Sequence, residues 1–350
     1  MPPLADCIPL FEKIWNNQVL TNNGPYCQKF EASLSKFLSA KNVSVVNNGT
    51  TGLMLALKAL SKGSEVITTP FTFAATANSI KWLGLKPVFV DVEPKFGNIA
   101  PNLVANAVTS KVGAILASHN FGFPADTEKL TEISQKFQIP LIFDAAPAMG
   151  VSLNGKSITS FGDASVLSFH ATKVFTTIEG GAVISRSKDI KNEIDLLRNF
   201  GISDYEIKRI GINAKLNEIQ SAIGLLNLKE LDQNILRRKS LFYLYKENID
   251  PLPKVRLLNP NKNTEYNFAY CIVAFDNEKD CLSVFEKLKE IGIFCRRYWN
   301  PVLTSSLPYL DDNSNFPISE KLSKISLALP MGADSNENIV KLISMKISRL

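Results

Sequence analysis

Short apolar segments alternate with stretches of helical periodicity through the first half of the chain. Buried strands are predicted at 43–46, 65–69, 88–91, 113–118, 139–144, 164–169 and 182–185. Amphipathic helices are predicted at 8–17, 26–38, 50–60, 72–83, 102–108 and 126–137. Strands and helices that alternate with short linkers indicate an α/β fold, with a mostly parallel sheet of the seven-stranded type lying between layers of helices.

The second half has a different pattern. Helices are predicted at 188–199 and over 216–248, the latter as two helices. The sequence Asp-Pro-Leu-Pro at 250–253 breaks the helical periodicity and predicts a domain boundary. We therefore expect a large domain at 1–250 and a smaller C-terminal α+β domain at 251–350. Its predicted elements are strands at 267–275 and 293–298, a helix at 279–290 and a last helix from Asn336.

Composition narrows the class of protein. Of 350 residues, 45% are apolar and 21% are charged, which is typical of a folded globular protein. The net charge of +6 is spread along the chain without a block of like charges, so a nucleic-acid-binding face is not expected. The small positive excess favours anionic ligands, such as a phosphate-bearing cofactor and substrate, although most of it is explained by solvated surface.

The five cysteines lack Cys-x-x-Cys spacing, and the chain has only two histidines, so no metal site is expected. An odd number of unclustered thiols is typical of reduced cysteines in the cytoplasm. We find neither a signal peptide nor an apolar run of membrane-spanning length, and we expect a soluble cytoplasmic protein.

The segment from Asp163 to Ile184 carries the strongest chemical signal. A predicted strand delivers Ser168 and Lys173 just before a Glu-Gly-Gly turn at 179–181. A lysine that loses hydration favours its neutral amine, the form that attacks carbonyl groups and makes Schiff bases. A solvated loop lysine is the alternative. Against it, Asp144 ends an earlier buried strand, and an acid at one strand end paired with a lysine at a later strand end is what pyridoxal phosphate chemistry requires.

The segment 47–51, Asn-Asn-Gly-Thr-Thr, joins a predicted strand to a helix. Free backbone amides and the helix dipole make such a junction an anion site. The alternative is an ordinary helix cap formed by Thr50 or Thr51. In parallel sheets, ligands bind beyond the carboxyl ends of the strands, where Asn47, Asp144 and Ser168 are all predicted to lie.

Together, the sequence 168–173 (Ser-Phe-His-Ala-Thr-Lys), the turn 179–181 and Asp144-Ala-Ala resemble the DegT/StrS-type (DegT/DnrJ) sugar aminotransferases, a fold-type-I pyridoxal phosphate family. The resemblance extends from about residue 20 to residue 331. It implies that Lys173 and Asp144 are catalytic, with Lys173 holding pyridoxal 5'-phosphate and Asp144 keeping the pyridine nitrogen protonated. It also implies that the remaining cofactor contacts come from Gly49, Thr50, Phe73, Ser168 and, across a homodimer interface, Asn213.

Some positions depart from the family pattern or remain open. Pro147 stands where the family usually has histidine or glutamine near the ring hydroxyl, so no role is carried over to it. His119 occupies a strand end where the family often has histidine, and either ligand contact or loop capping would explain it. Whether His170 or Arg296 contacts substrate is also open, and Asn213 is by itself a good helix N-cap.

The resemblance implies transfer of an amino group from glutamate to a nucleotide-linked ketosugar. The run 168–181 is most similar to enzymes that make 4-amino-4,6-dideoxyglucose, which implies a dTDP-linked 4-keto-6-deoxy sugar for surface polysaccharide, such as lipopolysaccharide O-antigen, or for a natural-product sugar. A 3-ketosugar aminotransferase and a sugar dehydratase of the same fold are alternatives, although such dehydratases carry histidine in place of Lys173. A non-catalytic relative is the third alternative.

Overall fold

A computed structural model describes residues 1–309, 315–332 and 334–350 of the chain. The strands are β1 Val43–Val46, β2 Glu65–Thr68, β3 Lys86–Phe89, β4 Val112–Ser118, β5 Leu141–Asp144, β6 Ser152–Leu153, β7 Lys156–Ser157, β8 Ala164–Ser168, β9 Gly181–Ser185, β10 Ile202–Ser203, β11 Glu206–Ile207, β12 Val255–Leu257, β13 Thr264–Glu265, β14 Cys271–Phe275 and β15 Ser326–Leu329. The helices are α1 Leu4–Asn17, α2 Pro25–Leu38, α3 Gly49–Leu60, α4 Ala74–Trp82, α5 Pro101–Ala107, α6 Thr127–Phe137, α7 Lys188–Leu197, α8 Glu218–Ile249, α9 Glu278–Glu290, α10 Pro317–Ile325 and α11 Glu337–Ser348.

A seven-stranded sheet in the order β1-β9-β8-β5-β4-β2-β3 forms the centre of the fold. Six of the seven strands run in the same direction, and only β9 is reversed, since it pairs antiparallel with both β1 and β8. The predicted fold class, a mostly parallel sheet of this type, is confirmed.

Helices cover both faces of this sheet because neighbouring residues of a strand point to opposite sides. On β4, Leu116 packs in one buried cluster and Ile115 in another. Ile142 and Leu141 of β5 divide between the same two clusters. Each strand is therefore apolar on both faces, which is why the sequence shows continuous apolar runs rather than alternation.

The segment after the sheet forms one helix of 32 residues, α8, so the prediction of two helices was wrong. Its buried side chains lie in two groups, from Glu218 to Leu231 and from Leu241 to Ile249, with a solvent-exposed middle. The polar middle interrupts the apolar pattern without breaking the backbone, since it contains neither proline nor glycine.

The C-terminal segment builds a three-stranded sheet, β12-β14-β15, against α9, α10 and α11. The strand predicted at 293–298 is absent from this described region, where only a single bridge joins Arg296 to Ala328. The chain leaves the sheet there because Tyr298 and Trp299 turn toward a cavity described below. The domain boundary at residue 250 stays a proposal; α8 ends beside it, and one apolar cluster contains residues from both sides.

The carboxylate of Asp91, which follows β3, holds the start of α10. Asp91 is buried and accepts hydrogen bonds from the backbone amides of Ile318 and Ser319, each at 2.9 Å, and from the Ser319 hydroxyl at 2.5 Å. A carboxylate at this position satisfies amides that lack partners in the first helical turn and complements the helix dipole. Asp91 thereby fixes the C-terminal segment to the large sheet.

In the described residues, no helix is both long and apolar enough to cross a membrane.

Substituting Asp91 should test this link. We expect Asp91→Ala to destabilise the protein by about 2 kcal/mol, because it leaves buried amide donors without an acceptor. Asp126→Ala is the matched control, since Asp126 caps α6 at an exposed site through the Lys129 amide. Thermal unfolding should show a larger loss of midpoint temperature for Asp91→Ala. Equal losses would mean that Asp91 is only a local cap.

Candidate active site

A cavity of about 640 Å³ lies at the carboxyl ends of the central parallel strands. It brings together six of the seven site residues predicted from sequence, Gly49, Thr50, Phe73, Asp144, Ser168 and Lys173. Asn213, the seventh, is not among the residues that line it. The cavity also contains His170 and Arg296, which the sequence analysis left open.

One end of the cavity is the N-terminus of α3. The Asn48 side chain caps this helix by accepting the Thr51 amide at 2.9 Å, so the alternative of a cap formed by Thr50 or Thr51 is wrong. Because Asn48 satisfies only one of the first-turn amides, others remain available to an anion. The helix dipole adds partial positive charge at the same point. This end of the cavity fits a phosphate group.

Glycine is required there because the start of α3, the end of β8 and the start of β9 pack so closely that little space remains for side chains. A Cβ atom built on Gly49 would lie 3.0 Å from the Cβ of Ser168. A Cβ atom on Gly181 would lie 2.8 Å from the Leu167 carbonyl oxygen and 2.9 Å from the Gly49 amide. The Glu-Gly-Gly turn therefore has a steric function, since it lets β9 approach the start of α3.

Asp144 is a buried carboxylate held by hydroxyl and amide donors. Its Oδ2 accepts from the Thr76 hydroxyl at 2.7 Å, and its Oδ1 accepts from the Ala146 amide at 3.1 Å. Burial raises the pKa of Asp144, and Thr76, the Ala146 amide and the charge of Lys173 oppose that rise. A carboxylate destabilised in this way favours a cationic partner, and a protonated pyridine nitrogen would supply one.

Thr76 is itself positioned by a hydroxyl chain. Its hydroxyl lies 3.0 Å from that of Thr72, which lies 2.8 Å from that of Ser118. All three are buried. The sequence analysis missed these residues because threonine and serine near strand ends are common and carry no distinctive spacing.

Lys173 follows β8, is half-buried and lines the cavity. Burial lowers the pKa of its amine, while the charges of Asp144 and Tyr298 act in the opposite direction. A lower pKa increases the fraction of neutral amine, which is the nucleophilic form. The sequence-based expectation of a desolvated lysine is consistent with this environment.

Phe73 presents its ring to the cavity and is 58% exposed, which is unusual for a phenylalanine at the start of a helix. Its ring centroid lies 5.7 Å from that of Trp299. The Trp299 indole N–H donates to Asn120 Oδ1 at 2.8 Å, which fixes the indole plane. Phe73 thus offers an apolar face on which a flat ring could stack.

Three open positions have local partners. His119 accepts the Ala125 amide through Nδ1 at 3.0 Å and stacks on Phe143 at 4.4 Å, so its ring caps its own loop; its burial lowers the pKa to about 3. The Pro147 carbonyl accepts from the Asn267 side chain. His170 Nε2 lies 3.6 Å from a carboxylate oxygen of Glu179.

The residues fit pyridoxal phosphate by their chemistry. An anion cradle, a buried acid, an exposed aromatic face and a desolvated lysine line a single cavity. In the described residues, no group of histidine, cysteine, aspartate and glutamate side chains is arranged to hold a metal ion.

Comparison with known proteins identifies the family. The sequence model of the DegT/DnrJ/EryC1/StrS aminotransferase family matches residues 5–348. The dTDP-4-amino-4,6-dideoxy-D-glucose transaminase of Shigella dysenteriae is 40% identical over 356 residues, covering 100% of this chain and 97% of the relative. The Escherichia coli enzyme of the same description is 37% identical over 360 residues, covering 100% and 95%. The crystal structure of DesI with its TDP-sugar product superposes with a TM-score of 0.94 at 32% identity, covering 100% and 90%.

The chain therefore belongs to the DegT/DnrJ/EryC1/StrS aminotransferase family and is a pyridoxal-phosphate-dependent sugar aminotransferase. The family resemblance, the enzyme class and the cofactor predicted from sequence are confirmed. The roles of individual site residues stay predictions that variants must test.

The pKa of Lys173 can be measured by competitive labelling. In cofactor-free protein, we expect reductive methylation of Lys173 to reach half its maximal rate at a lower pH than that of the exposed Lys156, because burial favours the neutral amine. Peptide mass spectrometry reports both residues in one sample. Identical pH profiles would contradict the desolvation argument.

Lys173→Ala should abolish transamination while retaining the fold, and near wild-type activity would refute its catalytic role.

Proposed function

We propose that this enzyme transfers an amino group from glutamate to C4 of a nucleotide-linked 4-keto-6-deoxy sugar, with thymidine diphosphate as the nucleotide. The observation that carries the proposal is the convergence of Lys173, Asp144 and the α3 N-terminus on one cavity. The two dTDP-4-amino-4,6-dideoxy-D-glucose transaminases and DesI support the choice of sugar and nucleotide. The product would serve surface polysaccharide, including O-antigen, or a natural-product sugar, and we propose the cytoplasm as its compartment.

Each site residue has a defined task in this proposal. The amides at the start of α3, with Thr50 and Ser168, would hold the cofactor phosphate, and Phe73 would orient the ring by stacking. Asp144 would keep a proton on the ring nitrogen. Bound pyridoxal phosphate supplies an electron sink for the carbon that exchanges its amino group.

Lys173 would act twice. Its neutral Nζ would be the group that holds the aldehyde of pyridoxal phosphate. When Nζ is free of that contact, it would accept a proton from the donor carbon as general base and give it up again as general acid. The low pKa caused by burial suits both tasks, since it brings the amine closer to working pH.

A substrate panel decides the position of amination. With glutamate present, we expect turnover of the dTDP-linked 4-keto-6-deoxy sugar and little turnover of its 3-keto isomer, with the product assigned by NMR. The steric fit of the Glu-Gly-Gly turn explains Gly181 but gives no physical reason for a preference for C4, so the preference rests on the relatives. Amination at C3 alone would refute the proposed regiochemistry.

We also propose that the working unit is a homodimer in which Asn213 completes the phosphate site of the partner subunit. Asn213 is exposed, and its carbonyl oxygen accepts from the Asn47 side chain at 3.4 Å, beside the cradle of its own subunit. The preceding segment 202–210, which contains the β10–β11 hairpin, exposes three large apolar side chains: Ile207 is 77% and Ile210 84% exposed, and Tyr205 is fully exposed. Exposed apolar side chains of this kind favour packing against a second copy of the chain, which would remove them from water.

Subunit mixing would test the shared site. We expect Asn213→Asp to lose most activity, because a carboxylate would repel the phosphate, and Lys173→Ala to lose all of it. Mixed and re-equilibrated, the two variants should recover roughly a quarter of wild-type activity, since half the dimers are mixed and each contains one intact site. Recovery equal to the sum of the separate variants, or a fully active monomer by sedimentation, would contradict the proposal.

A further inference from the structure

A second cavity, of about 520 Å³, adjoins the first at Lys173. The two cavities share Lys173, Tyr270, Arg296 and Tyr298 in their walls. The second cavity lies between α8, which contributes Arg238 to its wall, and the end of β15. Any molecule whose reacting atom lies at Lys173 can therefore place a substituent in either cavity.

The wall of the second cavity carries positive charge without a matching acid. This charge comes from Arg238 and Arg296, and among the described lining residues there is no aspartate or glutamate. By contrast, Arg297, next in the chain to Arg296, pairs with Glu278 at 2.8 Å and lies outside both linings. The unpaired positive charge is thus found in the wall of this cavity and is not shared by the neighbouring arginine of the 296–297 segment.

Arg238 is positioned to bind an anion. One of its guanidinium N–H groups donates to the Ala269 carbonyl at 3.3 Å, and in the described residues no carboxylate pairs with it. Burial opposes its charge, and Tyr266 and Tyr270 are the neighbours that favour it. A guanidinium that is partly desolvated and has unused donors matches the planar geometry of a carboxylate.

Arg296 reaches the second cavity from a different part of the fold, the segment that follows α9. It lines both cavities, its guanidinium lies 3.3 Å from the Tyr298 hydroxyl, and its charge lowers the pKa of Tyr270 against the larger effect of burial. Arg237 donates to the carbonyl oxygens of Gly332 and Ser335, which anchors the wall of the cavity. Two cations on separate elements therefore face a space next to the reactive amine.

From this geometry we infer that the second cavity is the carboxylate subsite for the dicarboxylate amino donor, with Arg238 as its principal ligand. The inference rests on the proposed function. Glutamate carries its second carboxylate roughly 5 Å from the carbon that bears the amino group, a short reach from Lys173. A sugar nucleotide is larger and carries an aromatic base, and the aromatic side of the first cavity, with Phe73 and Trp299, suits it better.

Binding of glutarate, a dicarboxylate without an amino group, tests the inference on the holoenzyme by calorimetry. We expect Arg238→Gln to raise the Kd of glutarate about 10- to 100-fold, the effect of losing one charge-assisted pair. Lys239→Gln, an exposed neighbour on the same helix, is the charge-matched control and should leave the Kd unchanged. Arg296→Gln provides a second variant if Arg238→Gln fails to fold.

Half-reactions separate this inference from the proposed function. Arg238→Gln should slow the reaction with glutamate by the same factor, while the reaction with alanine, a monocarboxylate, and that of the aminated cofactor form with ketosugar stay at wild-type rates. An unchanged glutarate Kd would overturn the inference. A defect confined to the ketosugar half-reaction would also overturn it and would assign the cavity to the diphosphate of the sugar nucleotide. A wild-type enzyme that binds glutarate through Arg238 but aminates no ketosugar would refute only the proposed function.

Discussion

The burial of one carboxylate, that of Asp144, is the constraint on which the site depends. A buried negative charge is costly unless hydrogen-bond donors and a cation accompany it. The fold supplies the donors through Thr76, the Ala146 amide and the hydroxyls behind Thr76, and Lys173 supplies a nearby positive charge. Apart from the Ala146 amide, which is local, these partners come from the segment around the start of α4, the end of β4 and the turn after β8, so they meet only when the parallel sheet is complete. The cofactor ring would add the remaining cation.

Close backbone packing is the second requirement of the same site. The start of α3 can serve as an anion cradle only because Gly49 and Gly181 allow it to lie against β8 and β9. The neighbouring turn holds Ile178 at a φ of +74°, a left-handed conformation that is unfavourable for a β-branched residue. Its amide donates to the Thr176 hydroxyl at 2.8 Å, which helps to maintain it. Backbone strain of this kind is often stored at functional sites.

The sequence alone predicted the central sheet and most of the cavity residues, because strands buried on both faces leave long apolar runs and Lys173 lies in a distinctive motif. It failed where tertiary contacts override local pattern. The polar middle of α8 looked like a break, although the helix is continuous. The segment 293–298 has strand-like residues, yet its aromatic end turns into the cavity. The arginine-lined cavity could not be foreseen, since Arg238 and Arg296 are distant in sequence and only the fold places them together.

The contact between Asp91 and α10 also bears on how the protein is made. A chain emerges from the ribosome amino terminus first, and Ile318, the first residue of α10 to donate to Asp91, is synthesised 227 residues later. The seven strands of the central sheet are all available once Ser185 has emerged. The Asp91 carboxylate therefore lacks its partners in α10 until the whole central sheet has been synthesised. A chain truncated before residue 317 never forms this contact, although it contains every strand of the sheet.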